Sequence, residues 1–439
     1  MAHRHKRVSL QALIDDALAE TPPGRVVWVA LSGGLDSSLL LTLAAAACRL
    51  HPRPLRALHV HHGLQAAAGD FETHCRRLAS RLGVPLFVER VAVERDAGLG
   101  LEGAARQARY DAFARRVAPG ETLWLAQHGD DQAETFLLAA LRGSGVRGLA
   151  GMPAGREWRG RCLVRPLLAR SRAELEAEAA RRGLRWVEDP SNADETLDRN
   201  FLRRRVLPLL AQRWPHAGEA LAASARQAAE ADALIADLSA VDLAAVLGDD
   251  AACLPLAGLG RLSPARRRVL VRHACHRLGL PTPPAARLEA LLAQCDARHD
   301  ARVRVTWTGA EGRIWRGHLH LLSSRPPLAP TWQVEWDGVS PLATPWGTVD
   351  VTLVPEEGGQ ASLRLMPRQG GESLRLARRG SRDLKRLLQE AEVPPWERER
   401  LLVAWHGEVP VAALQSDAIR WLAVAEGWRA SVGEGSASS

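Results

Sequence analysis

Lysine is nearly missing from this 439-residue chain: only Lys6 and Lys385 occur, and arginine carries almost all of the positive charge. Without a lysine between those two, no phosphate loop of the Gly-Lys-Ser/Thr type can exist there, because that loop needs its lysine on the β and γ phosphates. The Gly-x-Gly-x-x-Gly spacing of dinucleotide-binding turns is also absent from the first strand–helix junction. Cys48, Cys75, Cys162, Cys253, Cys275 and Cys295 are scattered, with no Cys-x-x-Cys pair. That excludes a zinc ribbon, an iron–sulfur site and a disulfide framework, and leaves the cysteines as small apolar residues. No apolar stretch reaches the ~18 residues of a membrane span. The opening "MAHRHKRVSLQALIDDALAE" has basic residues but no apolar core behind them, so it predicts a soluble amphipathic helix rather than a signal peptide. A cytoplasmic protein without a membrane partner is expected.

The length predicts two or three domains. A hydrophobic content of 46% with 25% charged residues is ordinary for a globular protein. The net charge of +8 suits a polyanionic partner. The choice of arginine over lysine is discounted, since genome composition also produces it. The runs "RVVWVAL", "LRALHVH", "VPLFVERV" and "TLWLAQ" read as strands. Between them "GDFETHCRRLASRLG" and "EGAARQARYDAFARRVA" have helical spacing. This alternation predicts an α/β fold with a doubly wound parallel sheet. From about Pro215 to Leu321 the pattern turns to Ala- and Leu-rich helices, and "SSRPPLAPTW" marks a linker. Short alternating segments follow, predicting a small C-terminal mixed α+β or β-barrel-like domain, and "GEGSASS" is expected to be disordered.

The stretch "VVWVALSGGLDSSLLLTLAAAA", Val26 to Ala47, places glycines, serines and one carboxylate where a strand turns into a helix. Gly33 and Gly34 allow a tight turn and close approach to an anion. The N–H groups of Asp36, Ser37 and Ser38 are expected to point at that anion from the helix N-terminus, with the hydroxyls of Ser32, Ser37 and Ser38 as further donors. Asp36 would repel phosphates unless a divalent cation lay between, which implies Mg²⁺. A plain Gly-rich turn with a Ser/Asp cap is the competing reading.

"SGGLDS" resembles the PP-loop of the ATP pyrophosphatases, which cleave ATP between the α and β phosphates and adenylate a substrate oxygen. Further stretches resemble the tRNA(Ile)-lysidine synthetases within that group: "HVHHGLQ" (His59 to Gln65), "AQHGDDQAETFLLAALRGSGVRGLAGM" (Ala126 to Met152), "RPLL", "EDPSN" and "RNFLRRRVLPLL" (Arg199 to Leu210). The likeness spans most of the first 215 residues, and "PRQGGESLRLARRGSRDLKRLLQEAEVPPW" resembles the end of the longer, three-domain form. Gln127 departs from the pattern, which often has a second histidine beside His128. The resemblance implies a catalytic ATP-binding domain over residues 1–215, a helical tRNA-binding domain over 216–325, a linker over 326–345 and a C-terminal tRNA-binding domain over 346–432.

It also implies the reaction. ATP adenylates the ring carbonyl oxygen of the wobble cytidine in the CAU anticodon of tRNA(Ile), and free L-lysine then displaces AMP. Ser32, Gly33, Gly34, Leu35, Asp36, Ser37, Ser38 and His59 are then the ATP contacts, and Asp36 with Asp131 the Mg²⁺ ligands. Asp131 and Glu134, at i and i+3 on one helix face, are expected to bind lysine, with Asp130 beside them. By itself "DDQAE" also reads as an acidic first turn that stabilises its own helix. His128 is a further catalytic candidate, and Arg199 and Arg203, one turn apart, are expected to clamp phosphates or the leaving AMP. The remaining tRNA candidates are Arg142, Arg203, Arg368, Arg378, Arg379 and Lys385; "RGSG" at Arg142 reads equally well as a helix cap. Trp396 is expected either to stack on a base or to pack in a core. A homodimer is compatible with the sequence. The alternatives are another PP-loop tRNA-modifying enzyme, such as a 2-thiolase, or a non-catalytic RNA-binding protein with a vestigial nucleotide site. The lack of a cysteine pair counts against the first, the intact acidic cluster against the second.

Overall fold

Alternating burial in one short strand sets the layering of the N-terminal unit. Val27 and Val29 of β1 (Val27–Ala30) face one apolar cluster, with Ile14, Leu18, Leu39 and Leu43, while Trp28 faces another, with Leu58, Phe113 and Leu123. Side chains two apart share a face of a strand, so a strand apolar at every position needs cover on both sides. The computed structural model describes residues 9–62, 68–92, 100–246, 252–295, 303–325, 328–359, 361–415 and 419–433. The chain divides into two compact units, Met1–Asp237 and Leu238–Ser439.

In the first unit β2 (Leu55–His61), β3 (Leu86–Arg90), β4 (Thr122–Trp124), β5 (Gly155–Trp158) and β6 (Arg161–Val164) join β1 in the order β3-β2-β1-β4-β6-β5. All pairings are parallel except that of edge strand β5 with β6. The covering helices are α1 (Leu10–Ala19), α2 (Leu35–Ala47), α3 (Ala68–Leu82), α4 (Gly100–Arg116), α5 (Gly129–Leu141), the single turn α6 (Val146–Leu149) and α7 (Arg172–Arg181). The doubly wound parallel sheet expected from the alternation is present, with β1–β4 on the four quoted runs. Its order reverses between β1 and β4, and clefts open at the carboxyl ends of strands at such a point. The loop 31–34 leaves β1 there, and the loop 125–128 leaves β4 beside it. A 3₁₀ turn (Pro190–Ala193), α8 (Asp198–Phe201), a π-helical turn (Leu202–Val206) and α9 (Leu207–Arg213) follow, before the long α10 (Ala217–Val246).

In the second unit the expected helical region includes the helices Pro264–Arg277 and Ala285–Cys295, but it also holds a sheet. Strands Cys253–Pro255, Val303–Trp307, Ala310–Trp315 and His318–Ser323 form four antiparallel neighbours packed on those helices through Leu270, Leu291 and Leu319. The span 326–345, expected as a linker, is corrected in its second half. Val334–Trp336 pairs with Leu363–Leu365, and Leu342 is fully buried, because "VEW" and "LAT" supply apolar residues to the next core. That core lies under a five-stranded antiparallel sheet with three two-stranded ribbons and the helices Leu384–Glu390 and Pro395–Arg398, a mixed α+β arrangement rich in strands. Trp396 is packed, not presented: it is 4% exposed, edge-on to Trp315 and His320. Among the described residues no helix is long and apolar enough to cross a membrane. "GEGSASS" lies outside the described residues from position 434 onward.

Candidate active site

Gly33 is the hinge of the β1–α2 loop. Its φ of +93° is a conformation that L side chains rarely adopt, and a Cβ there would stand 3.2 Å from Cys75 Sγ and 3.3 Å from the Phe71 ring. Ser37 ties the loop down, its hydroxyl accepting from the N–H groups of Ser32 (3.1 Å) and Gly33 (3.2 Å). Helix α2 begins one residue earlier than the sequence suggested, with Gly34 as its N-cap and no side chain capping it. The Ser38 N–H is therefore spent inside the helix on the Gly34 carbonyl, at 3.1 Å. The unbonded first-turn donors are those of Leu35, Asp36 and Ser37, which an anion can satisfy. Ser38 is corrected as an ATP contact: its side chain is fully buried and does not line the cleft. We expect Gly33→Ala to strain this turn by about 1–3 kcal/mol and to raise the KM for ATP at least roughly tenfold; thermal melts and ATP titration measure the two effects.

Around this loop opens a cleft of about 1660 Å³ lined by Ser32, Gly34, Asp36, Ser37 and His59 from one side, and by His128, Asp130, Asp131, Glu134, Arg172 and Arg203 from the other. His59 donates from Nδ1 to the Leu31 carbonyl at 2.8 Å, and burial lowers its pKa, leaving Nε2 as an acceptor. His128, the N-cap of α5, is almost fully buried between carboxylates: Nε2 lies 3.8 Å from Asp36 Oδ2 and 3.5 Å from Asp131 Oδ2, and Nδ1 is 3.5 Å from Asp130 Oδ2. Burial alone would lower its pKa; the three carboxylates outweigh burial and raise it. Burial raises that of Asp36, against the pull of His128 and Arg172.

The acidic stretch caps its helix as expected. Asp131 Oδ2 accepts the His128 N–H at 3.0 Å and Asp130 Oδ2 accepts the Arg172 N–H at 2.7 Å, so the carboxylates cap α5 and tie it to α7. They also face the cleft. Both arginines expected to clamp phosphates turn instead onto carboxylates. Arg203 donates from Nε to Glu134 Oε1 (2.6 Å) and from Nη2 to Glu134 Oε2 (3.1 Å) and Asp131 Oδ1 (2.8 Å). Arg199 bonds Thr135 Oγ1 at 3.1 Å, stands 3.6 Å from Glu134, and is not on the cleft wall. Glu134 is wholly buried. The π-helical turn explains the selection, because widening the helix swings Arg203 inward, while Arg204 and Arg205 pair with Glu195 at 3.3 and 2.8 Å.

The sequence reading missed Arg172, whose Nη1 lies 3.0 Å from Asp36 Oδ2. Its signal was available: Ser171 and Glu174 form a capping box that starts α7 at the cleft. It missed Arg165 too, which is buried and donates to the Gln127 amide oxygen and, at 2.8 Å, to the Pro153 carbonyl. Gly143 takes φ +66° after α5, so "RGSG" caps that helix; Arg142 is exposed, 3.7 Å from Asp198. In the second unit Arg378, Arg379 and Lys385 are exposed, but Glu390 faces Arg379 at 2.8 Å. Arg368 is half-buried 3.5 Å from the buried Glu372, a structural position rather than a free RNA contact.

Residues 4–210 match the model of the PP-loop domain, residues 254–320 that of the TilS substrate binding domain and residues 363–426 that of the TilS substrate C-terminal domain. A tRNA(Ile)-lysidine synthase of Xanthomonas axonopodis pv. citri (strain 306) is 47% identical over 400 residues, covering 90% of this chain and 90% of that protein. The chain belongs to the tRNA(Ile)-lysidine synthase family. The tRNA(Ile)-lysidine synthases of Alkalilimnicola ehrlichii (46% over 405 residues, 90% of each chain) and Shigella flexneri (43% over 401 residues, 89% of this chain and 91% of that one) are similar along the same length. In this lysidine synthase family member the cysteine beneath the loop, Cys75, is held in its thiol form, since burial pushes its pKa up to about 12.

Proposed function

We infer that the chain is an ATP-dependent ligase that attaches lysine to the wobble cytidine of tRNA(Ile) carrying the CAU anticodon. The observation that supports this most is the meeting, in one cleft, of an uncapped helix N-terminus at Gly34 with the Asp131–Glu134–Arg203 cluster. The first is suited to the phosphates of ATP. The second carries carboxylates of the kind that hold an ammonium ion. Free L-lysine and tRNA(Ile) as substrates and a cytoplasmic location belong to the same reading; sedimentation of the protein decides between monomer and homodimer.

Mg²⁺ is implied by the chemistry, and Asp36 fits it: Oδ1 is buried with no hydrogen-bond partner, an acceptor left for a cation. Asp131 fits less well, since its oxygens already serve His128 and Arg203. When bound, the ion neutralises phosphate charge and favours pyrophosphate as a leaving group. The donors of Leu35, Asp36 and Ser37 hold the phosphates, and the cytidine carbonyl oxygen attacks the α phosphorus, expelling pyrophosphate. The lysine amine then attacks the activated ring carbon, AMP departs with the former carbonyl oxygen, and the amine loses its proton. Arg203 and a lysine ammonium carry the same charge, so carboxylates that hold one can hold the other. In this reading Arg203 moves to the phosphates or departing AMP and yields Glu134 and Asp131 to lysine, while Arg199 stays as the partner of Glu134. His128, whose pKa the surrounding carboxylates raise, stands between Asp36 and Asp131 and offsets the repulsion between them.

The test is incorporation of radiolabelled lysine into a CAU-anticodon isoleucine tRNA transcript with ATP and Mg²⁺. The control transcript has the wobble cytidine replaced by uridine. Label on the first only, with AMP released, is the expected result. ATP cleavage with another acceptor but no label here would retain the ATP chemistry and discard lysine.

A further inference from the structure

A second cleft, of about 230 Å³, opens between α4 and the β5–β6 hairpin, lined by Arg106, Gln107, Tyr110, Arg156, Trp158 and Arg159. None of these residues has a part in the ATP and lysine chemistry above. The Trp158 and Tyr110 rings meet edge to face at 5.3 Å, with Arg106 over Tyr110 (5.0 Å) and Arg159 over Trp158 (5.6 Å). Arg156 and Trp158 share one face of β5 by strand alternation. The buried cation Arg165 is coupled to them: burial lowers its pKa, Tyr110 opposes this, and Arg156 and Arg106 lower it further. Folding thus holds several like charges together. Among the described residues the facing acid is Asp111, 3.2 Å from Arg159, a solvent-exposed pair of small net value. The hairpin tip sets Arg159 at the rim of this cleft. Arg159 has φ +49° and Gly160 φ +72°, so an arginine stands where such a turn favours Asn, Asp or Gly.

We propose that this cleft binds the phosphate backbone of the tRNA beside the modified nucleotide, with Arg106, Arg156 and Arg159 as the contacts. The proposal rests on tRNA being the substrate. Continuity supports the choice of RNA: Tyr110 lines both this cleft and the catalytic one, so a strand entering the catalytic cleft passes directly onto the arginine–aromatic wall. Guanidinium groups beside aromatic faces suit phosphodiester and base together.

The experiment uses the full-length protein and the variants Arg156→Ala/Arg159→Gly and Trp158→Phe. Glycine relieves the turn at 159, so a folding defect does not confound the first variant; melting temperature verifies it. The expected result is a roughly tenfold rise in KM for tRNA with kcat and KM for ATP unchanged. The slope of log Kobs against log salt should flatten by roughly two, one for each lost phosphate contact. Trp158→Phe, which removes no charge, should stay near wild type. Unchanged tRNA KM and salt slope overturn the proposal, and so does a rise in the KM for ATP alone, which would make the bound anion the nucleotide's phosphate. Wild-type protein that fails to modify the tRNA overturns the catalytic reading itself, a result visible before any variant is made.

Discussion

Asp36→Asn is expected to lower kcat/KM by about a thousandfold, the scale of losing a principal electrostatic contact to a charged transition state. Asn keeps the shape of the side chain and its packing at the start of α2. What it loses is the negative oxygen: Oδ1, buried and unpartnered, and Oδ2, which accepts from Arg172 at 3.0 Å. Burial already disfavours the carboxylate, as its raised pKa shows, so removing the charge costs little stability and the melting temperature should hold. The KM for ATP should rise, and activity should respond differently to Mg²⁺ concentration. Wild-type turnover with an unaltered Mg²⁺ dependence would falsify the role given to Asp36.

Arg203→Ala should do two kinds of damage. It leaves Glu134, with no exposed surface, facing only Arg199 at 3.6 Å. Breaking a buried pair typically costs 3–5 kcal/mol; with the Arg203 side chain 36% exposed, solvent reduces this to about 2–3 kcal/mol. Turnover should fall by roughly two to three orders of magnitude if the guanidinium serves the phosphates. The double variant Arg203→Ala/Glu134→Gln tests the stability part, since Glu134 is itself placed against lysine and its loss lowers turnover in its own right. Neutralising the orphaned carboxylate should restore most of the stability, measured by denaturant titration, and none of the turnover. Recovery of turnover together with stability would reduce Arg203 to a strut. Arg203→Lys should behave as an intermediate in stability only, since an ammonium cannot make the fork that reaches Glu134 and Asp131 together.

Much of the site was legible because its signals are local. The positive φ at Gly33, the N-terminus of α2 and the caps of α5 each depend on a few neighbouring residues, and those residues have few other uses in that pattern. The linker and the middle region were read less well. In "VRVTWTGAEGRIWRGHLHLL" the alternation marks three strands, yet the Ala- and Leu-rich helices around it dominated the reading. Strands of three residues such as Val334–Trp336 carry too short a period to be seen, and pairing with Leu363–Leu365 alone makes them strands.

What the sequence by itself determined is the element set and chemical inventory of the N-terminal unit: a parallel α/β sheet, a Gly-rich turn, an acidic helix start and a basic helix, in that order. Which charge meets which was decided by tertiary structure. Asp131 and Arg203 are 72 positions apart and Asp36 and Arg172 are 136 apart, and no local period relates them. A π-helical turn chooses Arg203 over Arg204, and the reversal of strand order between β1 and β4 sets α2 and α5 beside one cleft. The physical reason is range. Caps, turns and periodicity act over a few residues, whereas desolvation and Coulomb interaction act through space, and only the folded chain defines that space.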